Sequence, residues 1–202
     1  MDSIRFDEHG LVPCVMQDAR TGEVLTLAYM NSEALALTRE TGEMHFWSRS
    51  RGELWRKGAT SGNVMRLRAL RYDCDGDALV ALVEASGPAC HTGERTCFHR
   101  GDMEPQPAEA LAALERTIAE RAASAADGGG EGSYTAELLS EPPRIGDKVR
   151  EEADEVARAA AGESDERVRE EAADVLYHLA VLMASRGLAL PDAYEVLNAR
   201  RR

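Results

Sequence analysis

The sequence has little of what marks a membrane protein, a secreted disulfide scaffold or a nucleic-acid binder. No apolar run within its 202 residues approaches the roughly 18 that a membrane-spanning helix needs. The first residues have neither the basic flank nor the apolar stretch of a signal peptide, so we expect a cytoplasmic protein without a membrane partner. Its four cysteines would stay reduced in that compartment. The net charge of −12 argues against nucleic acid as a partner.

Composition and charge instead predict a globular chain of two domains. Hydrophobic residues make up 44% and charged residues 30% of the sequence, which is ordinary globular usage, and 202 residues suffice for two domains of about a hundred each. The first hundred residues carry 12 basic and 14 acidic side chains, whereas the remainder carry 12 and 22. Two prolines and a glycine between Gly101 and Pro107 interrupt any periodic pattern. We therefore predict domains at residues 1–104 and 105–202.

The two predicted domains differ in hydrophobic periodicity. In the first, short apolar stretches separated by turn residues predict strands near residues 11–16, 23–30, 43–48, 64–72 and 78–85. One helix is predicted between them, from the N-cap Asn31 to Gly42. In the second, apolar spacings of three and four predict helices after Pro107, near residues 134–140, 144–161 and 164–186, and after Pro191, with a flexible loop at 127–132. The expected fold is a mostly-β (α+β) N-terminal domain and an all-α C-terminal domain.

Cysteines and aspartates cluster near the end of the first domain. Three of the four cysteines fall within 24 residues, at Cys74, Cys90 and Cys97. Alternate carboxylates surround the first of them, at Asp73, Asp75 and Asp77. Thiolates suit a catalytic Zn²⁺ that keeps one position open for water, and carboxylates suit a hard cation such as Mg²⁺. The spacing is not that of a common zinc finger, so ordinary buried cysteines remain the alternative, and Cys14 in an apolar stretch is predicted to be core.

His91 directly follows the second clustered cysteine. Three roles are compatible with that position: a fourth metal ligand, a proton shuttle for a metal-bound water, or an ordinary loop histidine. The sequence leaves these open.

A local surplus of positive charge lies between residues 49 and 71. Seven basic side chains in this stretch face a single acid, Glu53. A phosphate group is the natural partner, because it offers several negatively charged oxygens to arginine, lysine and hydroxyl donors. The candidate substrate-binding residues are Arg49, Arg51, Lys57 and Ser61, with Trp55 placed to stack on a base. A solvated strand face would explain some of the charges, and tryptophans also serve as core residues.

Two helical segments of the second domain repeat the pattern E-x-x-[ED]. Residues three apart share one helix face, so Glu152 lies beside Glu155, and Glu171 beside Asp174. Valines flank each pair at helical spacing, which predicts that all four carboxylates border the apolar stripe. Such carboxylates would repel one another unless cations bridge them, and Mg²⁺ is the expected bridge. A solvated acidic surface is the alternative. Lys148 lies one turn before the first pair and is placed to reach a phosphate.

Three strings of the first domain carry a family resemblance. FWSRSRGELWRKGATSGN at 46–63, DCDGD at 73–77 and GPACHTGERTCF at 87–98 resemble phosphoribosyl-AMP cyclohydrolase, which opens the adenine ring of its substrate. The resemblance implies hydrolysis between N1 and C6. His91, from its place beside Cys90, is our candidate catalytic residue for this step. It also implies zinc ligands shared across a homodimer interface and a separate magnesium site. The zinc ligands would be Cys74, Cys90 and Cys97, and the magnesium ligands Asp73, Asp75 and Asp77.

The second domain carries another resemblance. SYTAELL at 133–139, KVREEADEV at 148–156 and EAADVLYHLAVLM at 171–183 resemble phosphoribosyl-ATP pyrophosphohydrolase, one of the all-α nucleotide pyrophosphohydrolases. The resemblance implies that Mg²⁺ held by Glu152, Glu155, Glu171 and Asp174 assists hydrolysis to phosphoribosyl-AMP and pyrophosphate.

The two implied activities are consecutive and occur fused in this order, so we predict a bifunctional hydrolase of histidine biosynthesis. One alternative is a general nucleoside-triphosphate pyrophosphohydrolase with a zinc-dependent dimerisation module. Another is a metal-stapled interaction protein, for which closed four-ligand zinc sites would be expected.

Overall fold

A computed structural model describes residues 4–129 and 132–201. The chain divides into two compact units, the first ending at Glu104 and the second beginning at Pro105. The loop predicted at 127–132 lies partly outside the described residues, because 130 and 131 are not among them.

The described part of the first unit forms one six-stranded sheet and one helix. The strands are β1 (Val12–Asp18), β2 (Val24–Met30), β3 (His45–Ser48), β4 (Glu53–Arg56), β5 (Met65–Tyr72) and β6 (Leu79–Ala85), and helix α1 is Ser32–Thr41. Their order across the sheet is β4-β3-β2-β1-β6-β5. Strands β1 and β6 are parallel, and the other neighbours are antiparallel. The mostly-β prediction for this half is confirmed.

Alternating burial builds the core of the first unit. Val12, Cys14 and Met16 alternate along β1 and are fully buried, so Cys14 is a core residue as predicted. Strand β6 shows the same alternation, because successive strand side chains point to opposite faces of the sheet. Helix α1 is capped at both ends: the Asn31 side chain accepts a hydrogen bond from the Ala34 amide, and Gly42 ends the helix with φ 71°.

Strand β4 is a strand that the periodicity does not predict. It has only four residues, too few to show a clear alternation. Trp55 lies opposite Phe46 of β3 in the antiparallel pair, and the two rings pack with their centroids 5.1 Å apart. Tertiary pairing with β3 therefore defines this strand.

All regular secondary structure in the described residues of the second unit is helical, as predicted. A short 3-10 helix at Pro107–Glu109 leads into α2 (Ala110–Ala126), α3 (Tyr134–Ser140), α4 (Pro142–Gly162), α5 (Asp165–Ser185) and α6 (Leu190–Ala199). Helix α4 begins two residues earlier than predicted, because prolines suit the first turn of a helix. The buried core of the second unit consists of Ile118, Leu138, Ile145, Ala180, Val181 and Leu190.

Helices α4 and α5, each 21 residues long, pack along each other and bring their predicted acidic faces together. In the part of the chain that the structure describes, no single helix is both long and apolar enough to span a membrane. Helices α5 and α6 would qualify only as a pair, by length and composition alone, and they are bent by 99°.

Candidate active sites

Three glutamates meet where α4 packs on α5, and we call them the carboxylate cluster. Glu152 and Glu155 come from α4 and Glu171 from α5, and each offers an oxygen within 4.8 Å of the others. Glu152 is 7% exposed and Glu171 only 2%. Carboxylate oxygens at such spacing form a ligand set for a hard cation.

The position of Glu171 makes its negative charge costly. Burial raises the pKa of Glu171; Arg167 opposes this shift, and the neighbouring Glu155 and Glu152 reinforce it. Its Oε1 atom is buried, and the guanidinium of Arg167 lies against it. The cluster therefore presents a buried anionic oxygen suited to a cation.

Basic side chains surround the cluster. Lys148 Nζ lies 3.0 Å from Glu152 Oε1 and donates to Glu151 Oε2 at 2.8 Å. These two contacts, Glu151 first, raise the pKa of Lys148, so this lysine stays charged. Arg158 Nη2 lies 3.1 Å from Glu155 Oε1.

Asp174 does not face inward. It is exposed, and its side chain is outside the carboxylate cluster. A step of three residues turns about 300° around a helix, which places Asp174 beyond the edge of the buried stripe that contains Glu171. The expectation that all four carboxylates border the core is thus wrong for this residue, and its role as a ligand stays a prediction.

His178 is a candidate site residue that the sequence analysis does not name. It is 5% exposed, and its Nδ1 lies 2.9 Å from the carbonyl oxygen of Asp174 and 3.8 Å from Glu152 Oε1. Its Nε2 lies 3.3 Å from the hydroxyl of Tyr134. A histidine within an apolar helix face resembles a core residue, so only the packing of α3 and α4 against α5 reveals its place beside the cluster.

A second carboxylate group, the aspartate loop, connects β5 to β6. Asp73, Asp75 and Asp77 are all exposed and offer oxygens within 4.8 Å of one another. Asp75 and then Asp73 raise the pKa of Asp77, as expected for crowded like charges. Arg5 contacts this loop from the N-terminal segment, with Nη2 at 3.1 Å from Asp75 Oδ2.

Cys90 and Cys97 share a loop that follows β6, which we call the cysteine loop. The loop is attached to β2, where the Cys97 amide donates to the Leu25 carbonyl at 2.8 Å. The hydroxyl of Thr92 donates to Cys90 Sγ at 3.1 Å. That hydrogen bond, followed by one from the Thr92 amide, lowers the pKa of Cys90, whereas burial raises the pKa of Cys97. The two thiols also interact with each other, which favours one thiolate in the pair.

Cys74 is not brought to the other two cysteines within this chain. It is exposed in the aspartate loop, with Sγ 4.0 Å from Asp75 Oδ1. Among residues 4–129 and 132–201, no group of three metal-ligating side chains within 4.8 Å contains a cysteine. One chain alone therefore does not assemble a three-cysteine site.

The predicted substrate-binding residues of the first unit separate into two sets. Lys57 contacts the cysteine loop, because its Nζ donates a hydrogen bond to the Ala89 carbonyl at 2.8 Å. The candidate catalytic residue His91 is exposed beside Cys90, with its Nδ1 3.9 Å from Cys90 Sγ.

The other four make local contacts. Arg49 lies over the Tyr29 ring at 3.8 Å, Arg51 pairs with Glu53 at 2.7 Å, and exposed Ser61 accepts from the Asn63 amide at 3.3 Å. Trp55 is half-buried against the core.

Asn63 connects two of the family strings. A Cβ at Gly58, which has φ 84°, would lie 2.6 Å from the backbone of Asn63, and one at Gly87 would lie 2.4 Å from the Asn63 side-chain oxygen. Only glycine fits at position 58, whereas a side chain at position 87 would require the Asn63 side chain to move. The basic stretch and the cysteine loop are consequently packed against each other.

Comparison with known proteins agrees with this division. The family model described as Phosphoribosyl-AMP cyclohydrolase matches residues 26–99, and the one described as Phosphoribosyl-ATP pyrophosphohydrolase matches residues 111–201. The chain is 50% identical to a histidine biosynthesis bifunctional protein of Bacillus subtilis, covering 98% of this chain and 95% of that relative. It is 49% identical to the protein of that name from Gloeobacter violaceus, covering 100% and 92%.

These similarities extend over both units, so they support the bifunctional hydrolase and not the alternative of a general pyrophosphohydrolase with a dimerisation module. The chain belongs to the family of histidine biosynthesis bifunctional proteins, in which a phosphoribosyl-AMP cyclohydrolase domain is joined to a phosphoribosyl-ATP pyrophosphohydrolase domain.

Proposed function

We propose that residues 105–202 hydrolyse phosphoribosyl-ATP at the carboxylate cluster and that residues 1–104 then open the adenine ring of phosphoribosyl-AMP between N1 and C6. The observation that carries the first half is the convergence of Glu152, Glu155 and Glu171, two of them buried, within 4.8 Å. The cysteine loop and the aspartate loop carry the second half.

The carboxylate cluster fits Mg²⁺. Its ligand atoms are hard oxygens, and one from each glutamate lies within 4.8 Å of the others. Bound Mg²⁺ would neutralise charge on the phosphates and favour attack by water. Asp174, at the exposed edge of α5, is proposed as a further ligand.

Lys148 is proposed to bind a substrate phosphate. Its ammonium group already lies at the cluster, 3.0 Å from Glu152, and its side chain is 24% exposed. A charged amine at the rim of the site offers a phosphate oxygen several hydrogen-bond donors. In the same position it orients Glu152.

The aspartate loop fits a more weakly held Mg²⁺. Asp73, Asp75 and Asp77 offer three hard oxygens from one turn, and the raised pKa of Asp77 records their mutual repulsion. A cation that bridges them would relieve this repulsion. Because all three are exposed, the ion would keep part of its water shell.

Zinc is proposed to bind Cys90 and Cys97 of one chain and Cys74 of a second chain. Soft thiolates select Zn²⁺, and Thr92 already favours the thiolate form of Cys90. The separation of Cys74 from the pair within one chain supports a site completed by a homodimer. When bound, zinc supplies a Lewis acid with an open position.

The chain's own residues bind and orient the nucleotide near this metal. Lys57 supports the cysteine loop at Ala89 and brings positive charge close to Cys97. Arg49, Arg51 and Ser61 are exposed for the phosphate, and Trp55 would contact the base with its exposed part. His91, exposed beside Cys90, is placed to transfer a proton.

One assay tests both activities. Purified protein is given phosphoribosyl-ATP with Mg²⁺ and Zn²⁺, and pyrophosphate and the ring-opened product are followed together. We expect both to form, and phosphoribosyl-AMP to accumulate when zinc is chelated. Release of pyrophosphate from ordinary nucleoside triphosphates at equal rates would contradict the proposed substrate.

Subunit mixing tests the shared zinc site. Cys74→Ser and Cys97→Ser proteins should each lack ring-opening activity. After unfolding and refolding together, half of the dimers would be mixed, and each mixed dimer would hold one complete site. About a quarter of wild-type activity should return, as the two-fold symmetry requires. No recovery from a mixture that demonstrably forms mixed dimers would contradict a shared site.

A further inference from the structure

Arg167 reaches the carboxylate cluster from the first turn of α5. Its guanidinium lies against Glu171 Oε1, one turn along the same helix, and 3.7 Å from Glu155 Oε2 on α4. It is the basic side chain that touches two of the three cluster glutamates in the described residues, whereas Lys148 and Arg158 each touch one. The guanidinium therefore lies where a cation bridging α4 and α5 would lie.

Arg167 also has a place to move to. Its side chain is 47% exposed, and two acidic side chains outside the cluster lie near it, with Glu170 Oε2 at 3.4 Å and Glu163 Oε2 at 3.9 Å. Both of these partners are exposed. The guanidinium can leave the cluster by side-chain rotation and keep a negatively charged partner.

We propose that the Arg167 guanidinium and a divalent cation compete for Glu155 and Glu171, so that Arg167 sets how tightly the carboxylate cluster holds its metal. The inference rests on the proposed function, which assigns Mg²⁺ to this cluster. Two cations a few ångströms apart repel, so the metal must displace the guanidinium to coordinate both oxygens. Arg167 keeps the buried Glu171 from being an uncompensated charge, at the expense of metal affinity.

Calorimetric titration of the full-length protein with Mg²⁺ tests the competition without using activity. The heat that Glu155→Gln abolishes belongs to the carboxylate cluster. In that component, Arg167→Gln should bind Mg²⁺ about tenfold more tightly than wild type, the effect of removing a unit charge roughly 6 Å from the ion. The charge-matched control is Arg169→Gln, because Arg169 is exposed on the same helix and, among the described residues, bonds only the Asp165 carbonyl. Its Mg²⁺ affinity should stay within about twofold of wild type.

A second measurement uses the wild-type protein, so the test does not depend on how the variant folds. The NMR signal of the Arg167 Nε–H group should shift with Mg²⁺ in parallel with the calorimetric binding curve. An unmoved signal, or equal or weaker Mg²⁺ binding by Arg167→Gln, would overturn the competition while leaving the metal assignment in place. If Glu155→Gln removed no Mg²⁺ binding, the metal assignment would fail and the competition with it.

Discussion

The two units present their candidate metal ligands on different supports. In the first unit, the aspartates and cysteines lie in loops after strands, and all three aspartates are exposed. In the second, three glutamates project from two packed helices, and two of them are buried. In both groups the carboxylate oxygens lie within 4.8 Å of one another. Each group also has an arginine beside it, Arg5 at the aspartate loop and Arg167 at the carboxylate cluster.

The difference shows that burial decides whether a carboxylate charge needs a partner within the structure. Water weakens the repulsion between exposed aspartates, so the aspartate loop needs no buried partner for its charges. A buried glutamate loses that screening, and its charge needs a partner within the structure. A loop is also free to complete its site with a second chain, whereas the helical ligands are held by packing within one unit.

The largest expected effect comes from breaking the buried site. Glu171→Gln removes the charge of the least exposed ligand at nearly constant shape, so pyrophosphate release from phosphoribosyl-ATP should fall more than about a hundredfold. Ring opening of supplied phosphoribosyl-AMP should continue. Glu166→Gln, at an exposed position on α5, is the matched control and should keep both activities. Retained pyrophosphate release in Glu171→Gln would show that the cluster has no catalytic role and is an ordinary group of acidic side chains.

Breaking the loop-borne zinc site should have the opposite selectivity. Cys90→Ser should lose bound zinc and reduce ring opening about a hundredfold, because the thiolate is the preferred ligand. Pyrophosphate release should be unchanged. Metal analysis of Cys14→Ala provides the control, since Cys14 is core and burial raises its pKa to about 12. Zinc lost from Cys14→Ala but kept by Cys90→Ser would refute the assignment.

Salt should separate the two carboxylate sites. Raising KCl from about 0.05 M to about 0.5 M should weaken Mg²⁺ binding roughly tenfold at the exposed aspartate loop and about twofold at the buried cluster, because screening acts mainly on exposed charges. Titrations of Glu155→Gln and Asp75→Asn isolate the two sites in turn. Equal salt dependence of Mg²⁺ affinity at the two sites would contradict the proposed difference in their exposure.

The smallest expected effect concerns stability. Glu171 has a raised pKa in the folded chain, so its protonation favours folding: this contribution is fully present below the ordinary value of 4.5 and is lost as pH rises through the folded value. In chelator at pH 7, Glu171→Gln should therefore melt a few degrees above wild type. The difference should shrink as pH falls toward 4.5, as thermal unfolding at several pH values would record. A variant that melts below wild type at pH 7 would show that the ion pair with Arg167 outweighs burial.

Much of the candidate site could be predicted because local geometry is contained in residue spacing. Glu152 and Glu155 are three apart on one helix, so the pattern alone places them together. The same rule misplaced Asp174, because a three-residue step carries it past the edge of a narrow buried stripe. Sequence spacing could place Arg167 beside Glu171, four residues along the same helix. It could not indicate the contact of Arg167 with Glu155 or the place of His178, since both depend on how α5 packs against α4.

The sequence by itself determined the division into a β-rich and a helical half, the approximate helix bounds and the residue types suited to each metal. These follow from periodicity, caps and ligand chemistry, all of which act over a few residues. Only the tertiary structure decided that β4 pairs with β3, that Glu171 is buried where α5 packs on α4, and that Cys74 is apart from Cys90 and Cys97. Those outcomes depend on contacts between residues distant in sequence, where packing and desolvation, and not spacing, set the energies.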